Sequence, residues 1–313
     1  LEMLLLDSPP RMRELGTFGI HRVTVAGYLF EVGQHEAALQ ELDEALWDNP
    51  EYPLARFTKG VMLASLDKAT KAQREFELAI QLDGGFEDAW FALAQVQYKL
   101  EKFHTALISV NHALRLNPSR EEALLLKASL LKELGTPAQS VPIYEKILEV
   151  NRNQDTALHE LGNHYLREKQ WDEALELFQV LCDIRPTNWE THVALGDAFR
   201  GKNELDKAEE EYKLASLLAE TEAIPRAKLG DLFFHENRLP EAMVSYQTAA
   251  VLNSGELTIL LKLCRIYKDL EVPDQAVAFA RAARKVDPTC EEALQILEEF
   301  DALSQKETLT APE

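Results

Sequence analysis

The sequence predicts an all-α fold, a solenoid of eight consecutive helical hairpins. Three features carry the prediction: a 34-residue step that recurs without insertion or deletion, a small residue at one fixed place in each step, and a large one at a second fixed place. The stretch from Asp155 to Asn188 shows one step in full. Leu158, Leu161 and Tyr165 form one apolar stripe and Ala174, Phe178 and Leu181 another, separated by a polar break at Glu168 to Gln170. Apolar residues three and four apart mark one buried helix face. Two such helices this close in sequence are antiparallel neighbours. Pro186 ends the second helix, because it lacks an N–H and its ring collides with the preceding turn. One hairpin cannot bury its own face, so it stacks on further copies.

The other copies lie in register with Pro186. Backwards in steps of 34 come Arg152, Pro118, Gly84 and Pro50, and forwards come Glu220, Ser254 and Pro288. Counting each repeat from three residues past its stop, the eighth position reads Ala26, Gly60, Ala94, Ala128, Gly162, Gly196, Gly230 and Cys264. The twentieth is Ala in all copies but one, where Ser140 stands, and the twenty-seventh is Ala except at Ile147 and Leu181. The twenty-fourth is mostly large: Leu42, Phe76, Val110, Tyr144, Phe178, Tyr212 and Tyr246, then Ala280. A glycine inside a helix costs about 1 kcal/mol relative to alanine. Four of them at one register imply that two helix backbones approach closely there, with the aromatics filling the wider gaps.

Together the period and these marks resemble the tetratricopeptide repeat family, with its pattern W-x2-L-G-x2-Y…A-x3-F…A…P. The resemblance covers residues 19 to about 290, some eight copies. It implies a right-handed α-solenoid whose first helices line a concave groove. Single copies are degenerate: Lys59 and Lys127 take the apolar place before the small residue, and Pro137 and Pro273 replace the aromatic that opens the second helix.

The expected organisation is a non-repeat segment over 1–18, eight repeats over 19–290, a capping helix over 291–303 and a mobile tail over 304–313. Residues 1–18 are set apart because Ser8-Pro9-Pro10 sits where a second helix would be. The apolar Met3 to Leu6 precedes Arg11 and Arg13, the reverse of a secretory signal, and is expected to dock on the first hairpin. The start of a ninth copy, with Leu294 and Leu297 in core register, then Glu298 and Asp301 at the small and aromatic places, reads as a polar cap on the stack.

Within each first helix, positions 4, 7, 8 and 11 supply the core and positions 2, 5, 9 and 12 a second stripe. In the family this second stripe lines the groove. In the first three repeats it holds Ile20, Val23, Phe30, Leu54, Phe57, Val61, Phe91, Gln95 and Tyr98, and Leu125 extends it into the fourth. Large contiguous apolar patches mark interaction sites, so these residues are the expected contact for an amphipathic or extended peptide. The competing expectation is that residues 1–18, a neighbouring subunit or tight superhelical packing covers the stripe. From the fourth repeat on it turns mixed and charged, with His159, Asn163 and Arg200 as candidate polar contacts and a solvated face as the plainer reading. A chaperone-tail clamp would need Lys at position 5 and Asn at position 9 in two successive repeats. Asp197 and Asp231 follow Asn163 instead, so that function is not expected.

Composition narrows the partners. The net charge of −20 disfavours nucleic acid, whose phosphates call for Lys and Arg, and favours a basic or amphipathic protein segment. No apolar run approaches the roughly 18 residues of a membrane-crossing helix. Three cysteines without C-x-x-C spacing suggest no disulfide framework and a reducing, cytoplasmic setting; a leader upstream of Leu1 would point to the periplasm or envelope instead. His159 and His164 are five apart, His235-Glu236 lacks a second His, and neither Gly16-x-x-Gly19 nor Gly84-Gly85 precedes a P-loop lysine. No metal, cofactor or catalytic set is therefore expected. The function expected is that of a non-enzymatic scaffold or adaptor binding a partner segment. Two alternatives stand beside it: an envelope-associated module of a polysaccharide-export or pilus machine, and a homo-oligomeric scaffold whose groove is filled by another copy.

Overall fold

A computed structural model describes residues 10–310 of the chain, with side chains over 19–300. Among these residues there is no strand. Seventeen α-helices follow one another: α1 Pro10–Glu31, α2 His35–Asp48, α3 Pro53–Ser65, α4 Ala69–Leu82, α5 Glu87–Lys99, α6 Phe103–Leu116, α7 Glu121–Glu133, α8 Val141–Val150, α9 Asp155–Arg167, α10 Trp171–Ile184, α11 Trp189–Gly201, α12 Leu205–Leu218, α13 Ala223–His235, α14 Leu239–Leu252, α15 Leu257–Asp269, α16 Pro273–Val286 and α17 Glu291–Thr310. They fall into two compact units that meet in sequence between Ala157 and Leu158. Within each unit the core runs on from hairpin to hairpin. In the first, Leu42, Ala45, Ala55 and Met62 pack as one cluster and Leu63, Phe76, Leu93 and Val96 as another. In the second, Tyr212, Leu232, Tyr246 and Leu263 belong to one cluster. Each cluster spans a hairpin and the first helix of the following copy, which is how stacking buries a face that one hairpin leaves open.

Both kinds of turn follow from local chemistry. Inside each hairpin the fifteenth residue adopts the left-handed conformation: Gly33, Asp67, Glu101, Gly135, Lys169, Asn203, Asn237 and Glu271 all have φ between 56° and 82°. In the first, Gln34 N–H donates to Leu29 O at 2.8 Å and Gly33 N–H to Phe30 O at 3.0 Å, the paired bonds of a Schellman stop. Between most hairpins an Asn or Asp side chain accepts the backbone N–H two residues on, Arg185 and Ala219 standing at this place in the other two. Asn49 does so from Glu51, Asp83 from Gly85, Asn151 from Asn153 and Asp287 from Thr289. These Asx turns close the 34-residue step one residue before the stops read from the sequence.

The small eighth position has a more specific cause than backbone approach. An added Cβ at Gly60 would lie 2.6 Å from the Phe76 ring, at Gly162 2.7 Å from Phe178, at Gly196 2.5 Å from Tyr212 and at Gly230 2.6 Å from Tyr246. The twenty-fourth side chain of the same hairpin lies flat on the glycine. Where the eighth residue is Ala26 or Ala94, its partner shrinks to Leu42 or Val110. At Cys264 it shrinks to Ala280. Ala128 with Tyr144 is the exception, in the repeat where Pro137 opens a 3₁₀ turn over Pro137–Ser140 and α8 starts late.

Three expectations about the ends change. Pro10 does not interrupt the chain ahead of the first repeat; it opens α1, nine residues before the repeat frame begins, as a proline at a first helical position can. The Met3 to Leu6 docking lies outside the described residues. At the other end the helix does not stop at 303 but continues to Thr310, through the first part of the expected tail. Its core contacts are Ala293 and Ile296, while Leu294 and Leu297 are only half-buried.

Candidate functional site

The groove expected in the first three repeats is largely consumed by the fold. Phe91 is 7% exposed, packed among Ala94, Val110 and Leu130, and covered by the Arg120 guanidinium 4.2 Å above its ring. It is a core residue, which corrects its assignment to a partner-facing surface. Phe57 is half-buried between Phe76 and Phe86, with ring centroids 5.8 and 4.9 Å away. Phe30 packs on His35 and Tyr98 on Phe103. Val23, Leu54 and Leu125 are half-buried, Val23 against the first core cluster. Only Ile20, Val61 and Gln95 of this stripe are exposed. The displacement has a simple origin: aromatic side chains at positions 5 and 12 pack against the second helix of their own hairpin, as Phe30, Phe57 and Tyr98 do, or under the residue that precedes the next first helix, as Phe57 and Phe91 do.

The second unit keeps its first-helix face open and builds it from a recurring polar set. Asp197 on α11 accepts the Tyr212 hydroxyl at 2.6 Å and the Lys228 ammonium at 2.7 and 2.9 Å. One repeat later Asp231 on α13 accepts the Tyr246 hydroxyl at 2.5 Å and bonds Lys262. Each carboxylate at position 9 thus ties the tyrosine of its own hairpin to the lysine at position 6 of the next. Burial, reinforced by the adjacent carboxylate, pushes both tyrosines well above their ordinary pKa of 10. Arg200 lies 3.8 Å from Asp197. Two clefts open on this face. One of about 700 Å³ is lined by Arg200, Asp231, Phe234, Tyr246 and Lys262. One of about 270 Å³ is lined by Ile224, Ala227, Lys228, Asp231 and Lys262. Ile224 is 51% and Phe234 37% exposed beside them. His159 and Asn163 lie one turn apart on α9, the Asn amide 3.2 Å from a ring nitrogen, and neither joins these clefts.

A Cys–His–Glu constellation also assembles, from residues ten and nineteen positions apart that the sequence did not connect. Cys182 Sγ lies 3.6 Å from His192 Nε2, and His192 Nδ1 lies 2.7 Å from Glu211 Oε2. Its chemistry is that of a structural tie. His192 Nε2 is closer to the Pro186 carbonyl, at 3.1 Å, than to the sulfur. Burial, with Glu211 and Asp183 nearby, pushes the Cys182 thiol up, away from the thiolate a nucleophile needs. The register explains the pair. His192 and Glu211 hold positions 4 and 23, where Arg22 meets Glu41 at 2.8 Å and Arg56 meets Glu75 at 3.1 Å. The histidine stands in an arginine's place. The three cysteines are free, and burial pushes Cys264 up to about 12. Among the described residues no group of three or more His, Cys, Asp or Glu could hold a metal ion, and no helix is long and apolar enough to cross a membrane.

Comparison with known proteins bears on the family. Two tetratricopeptide-repeat family models match, over residues 87–120 and 125–188. The human protein O-mannosyl-transferase TMTC3 is 32% identical over 106 residues, which are 32% of this chain and 12% of that protein, so the chain spans a small part of its curated relative. Among solved structures, YrrB, a TPR protein with an unusual peptide-binding site, is 21% identical, with 56% of this chain and 91% of that chain aligned and a TM-score of 0.52. PilF of Pseudomonas aeruginosa is 20% identical, with 69% and 96% aligned and a TM-score of 0.54. At those identities the structures share the fold alone. The family models thus mark residues 87–120 and 125–188 as tetratricopeptide repeats, and the same hairpin register, glycine–aromatic pairs and stacked cores continue on either side of them.

Proposed function

We propose that the protein is a non-enzymatic scaffold that holds an amphipathic or extended segment of another protein on the first-helix face of α11, α13 and α15. The observation that carries this reading is the pair of open clefts there, where exposed Ile224 and Phe234 stand beside charges fixed in place by Asp197 and Asp231. An apolar anchor flanked by pre-positioned polar groups is the arrangement by which grooves take peptides. Because Lys228 and Lys262 are already paired, little side-chain freedom remains to be lost on binding. The face also accounts for position 9 holding Asp rather than Asn: the carboxylate organises the lining instead of gripping a partner's terminus. The net charge of −20 steers basic flanks of a partner towards the molecule. TMTC3 and PilF carry no activity or assembly role across to this chain at the coverage and identity they share with it.

Peptides selected from a random display library on the wild-type chain provide the test. Binding is expected to fall at least tenfold in the Ile224→Glu/Phe234→Glu variant, with helical content and melting retained because both side chains are exposed. Peptides that bind the variant as tightly as the wild type would overturn the assignment. The corresponding Phe57 and Phe91 substitutions would not be informative, since both rings are packed.

A further inference from the structure

The first unit carries a second, chemically opposite surface. Between α2 and α4, with α3 as its floor, lies a cleft of about 630 Å³. Arg56 and Lys59 rise from the floor, and Lys68, Lys71 and Arg74 line its rim along the start of α4. Only Asp43 and Glu75 oppose them, a local excess of three positive charges in a chain that is strongly negative.

The two carboxylates are committed to the floor. Arg56 meets Glu75 at 3.1 Å, and Lys59 meets Asp43 at 2.6 Å and Glu75 at 3.2 Å. Arg56 Nε is buried and has no hydrogen-bond partner. Burial works against the charge of Lys59, but its bonds to Asp43 and Glu75 outweigh that and hold it charged. The rim has no such compensation. Among the described residues none of Lys68, Lys71 and Arg74 meets a carboxylate within ion-pair distance, and all three are exposed. Some exposed lysines elsewhere do find partners, as Lys99 finds Asp67 at 2.5 Å and Lys202 finds Asp172 at 2.6 Å, but here three unpaired cations gather at one cleft. Two of the rim cations also sit at the start of α4, whose first turn holds no acidic residue and whose N-cap makes no side-chain bond. Positive charge at the positive end of a helix is unfavourable, so fold stability does not account for them there.

We infer that this cleft binds an acidic, extended segment of a partner protein, through two or three carboxylates spaced along the rim. Spacing favours a run of acids over a single anion. Lys68 to Arg74 spans about 9 Å of helix rise, whereas alternate side chains of an extended chain recur about every 6.6 Å. One small anion reaches one or two of these cations; alternating acids reach all three. The apolar wall of Leu39, Leu63 and Leu78 lets the segment's intervening side chains or backbone lie against it.

A fluorescein-labelled peptide of alternating Glu and Ser, with its Gln/Ser counterpart as control, tests this by anisotropy at about 0.15 M salt, where the Debye length is about 8 Å and the distant acidic surface is screened. Selective binding of the Glu peptide is expected, weakened tenfold or more by Lys68→Glu/Lys71→Glu/Arg74→Glu and by an intermediate factor in the milder Lys68→Gln/Lys71→Gln/Arg74→Gln variant. The Ile224→Glu/Phe234→Glu variant, altered in the other unit, should bind the Glu peptide as the wild type does, which separates this site from the one proposed above. Equal binding of the two peptides, no binding by the wild type, or retained binding in both rim variants would overturn the inference. Displacement of the peptide by inorganic phosphate more readily than by unlabelled Glu peptide would instead mark a small-anion site and refute the extended occupant.

Discussion

The glycine–aromatic pairs make a quantitative prediction, best tested at Gly60 and Phe76. A Cβ at residue 60 would stand 2.6, 2.8 and 3.1 Å from three atoms of the Phe76 ring. Carbon atoms in favourable contact sit roughly 3.5–4.0 Å apart, so the ring would have to retreat by about 1 Å. Phe76 is 1% exposed and has no free side to retreat towards. Overpacking of this kind costs about 1–3 kcal/mol, and the better helix propensity of alanine returns about 1 kcal/mol of it. Gly60→Ala should therefore change stability by between about 0 and 2 kcal/mol, in the destabilising direction. Phe76→Leu alone leaves a partial void and should cost about 1–1.5 kcal/mol. Combined, the two changes recreate the Ala26 and Leu42 pairing of the first hairpin, with the methyl filling the volume the ring vacated. The double variant should be more stable than the sum of the singles by about 1 kcal/mol or more, within the usual range for contacting residues. Denaturant midpoints and slopes followed by circular dichroism supply the cycle, with the slopes checking that unfolding stays cooperative. Additivity to within about 0.5 kcal/mol, or a Gly60→Ala variant more stable than the wild type by the full propensity gain, would refute the ring-on-glycine account.

Other outcomes follow from the polar architecture. Tyr212 and Tyr246 keep their protons in the folded chain above the pH at which they lose them when unfolded. Their contribution to stability is thus fully present below about pH 10 and declines as the pH rises beyond it. Tyr212→Phe/Tyr246→Phe should flatten that alkaline decline, and an unchanged slope would count against buried, carboxylate-bonded phenols. Removing the hydroxyl also forfeits a hydrogen bond to a charged group, about 1.5–3 kcal/mol per site at neutral pH. Alkylation of the native protein by iodoacetamide should leave Cys264 unmodified and modify Cys182 slowly; rapid, selective labelling of Cys182 would mean that His192 activates it after all. His192→Phe should cost about 1–3 kcal/mol, because the Glu211 carboxylate and the Pro186 carbonyl each lose a partner.

The sequence made the array legible because its strongest constraints act at fixed spacing. A residue under an aromatic ring must be small, and that requirement repeats every 34 positions wherever Phe or Tyr returns. Periodicity does not reveal how far a large side chain will roll. Phe57 and Phe91 occupy groove register yet turn away from it, because each has a neighbour at the N-cap of the following first helix, Phe86 and Arg120, whose position depends on stacking. The reverse holds on α11, α13 and α15, where a lining that read as ordinary solvated polarity is organised by contacts 15 and 31 residues apart. A signal was available: Tyr at position 24 with Asp at position 9 and Lys at position 6 of the next copy occurs in two successive repeats. The same spacing logic would have paired position 4 with position 23 and exposed His192 and Glu211 as partners. The basic cleft was hidden by the net charge, which averages a local excess of cations into an acidic whole.

The hairpin turns have a consequence for how such an array yields. All eight place their fifteenth residue in the left-handed conformation, but only Gly33 and Gly135 adopt it freely. An ordinary L-residue there gives up about 1–2 kcal/mol, and Asp67, Glu101, Lys169 and Glu271 do so, with Asn203 and Asn237 giving up less. In a linear array stability is close to a sum of repeat and interface contributions, and local opening follows the weakest stretch. Each turn is therefore an independent setting on one joint. Glycine introduced at any of the six would stiffen that joint alone and leave every partner-facing side chain where it was. The molecule's compliance and its recognition are encoded at different positions, so either can drift without dragging the other with it.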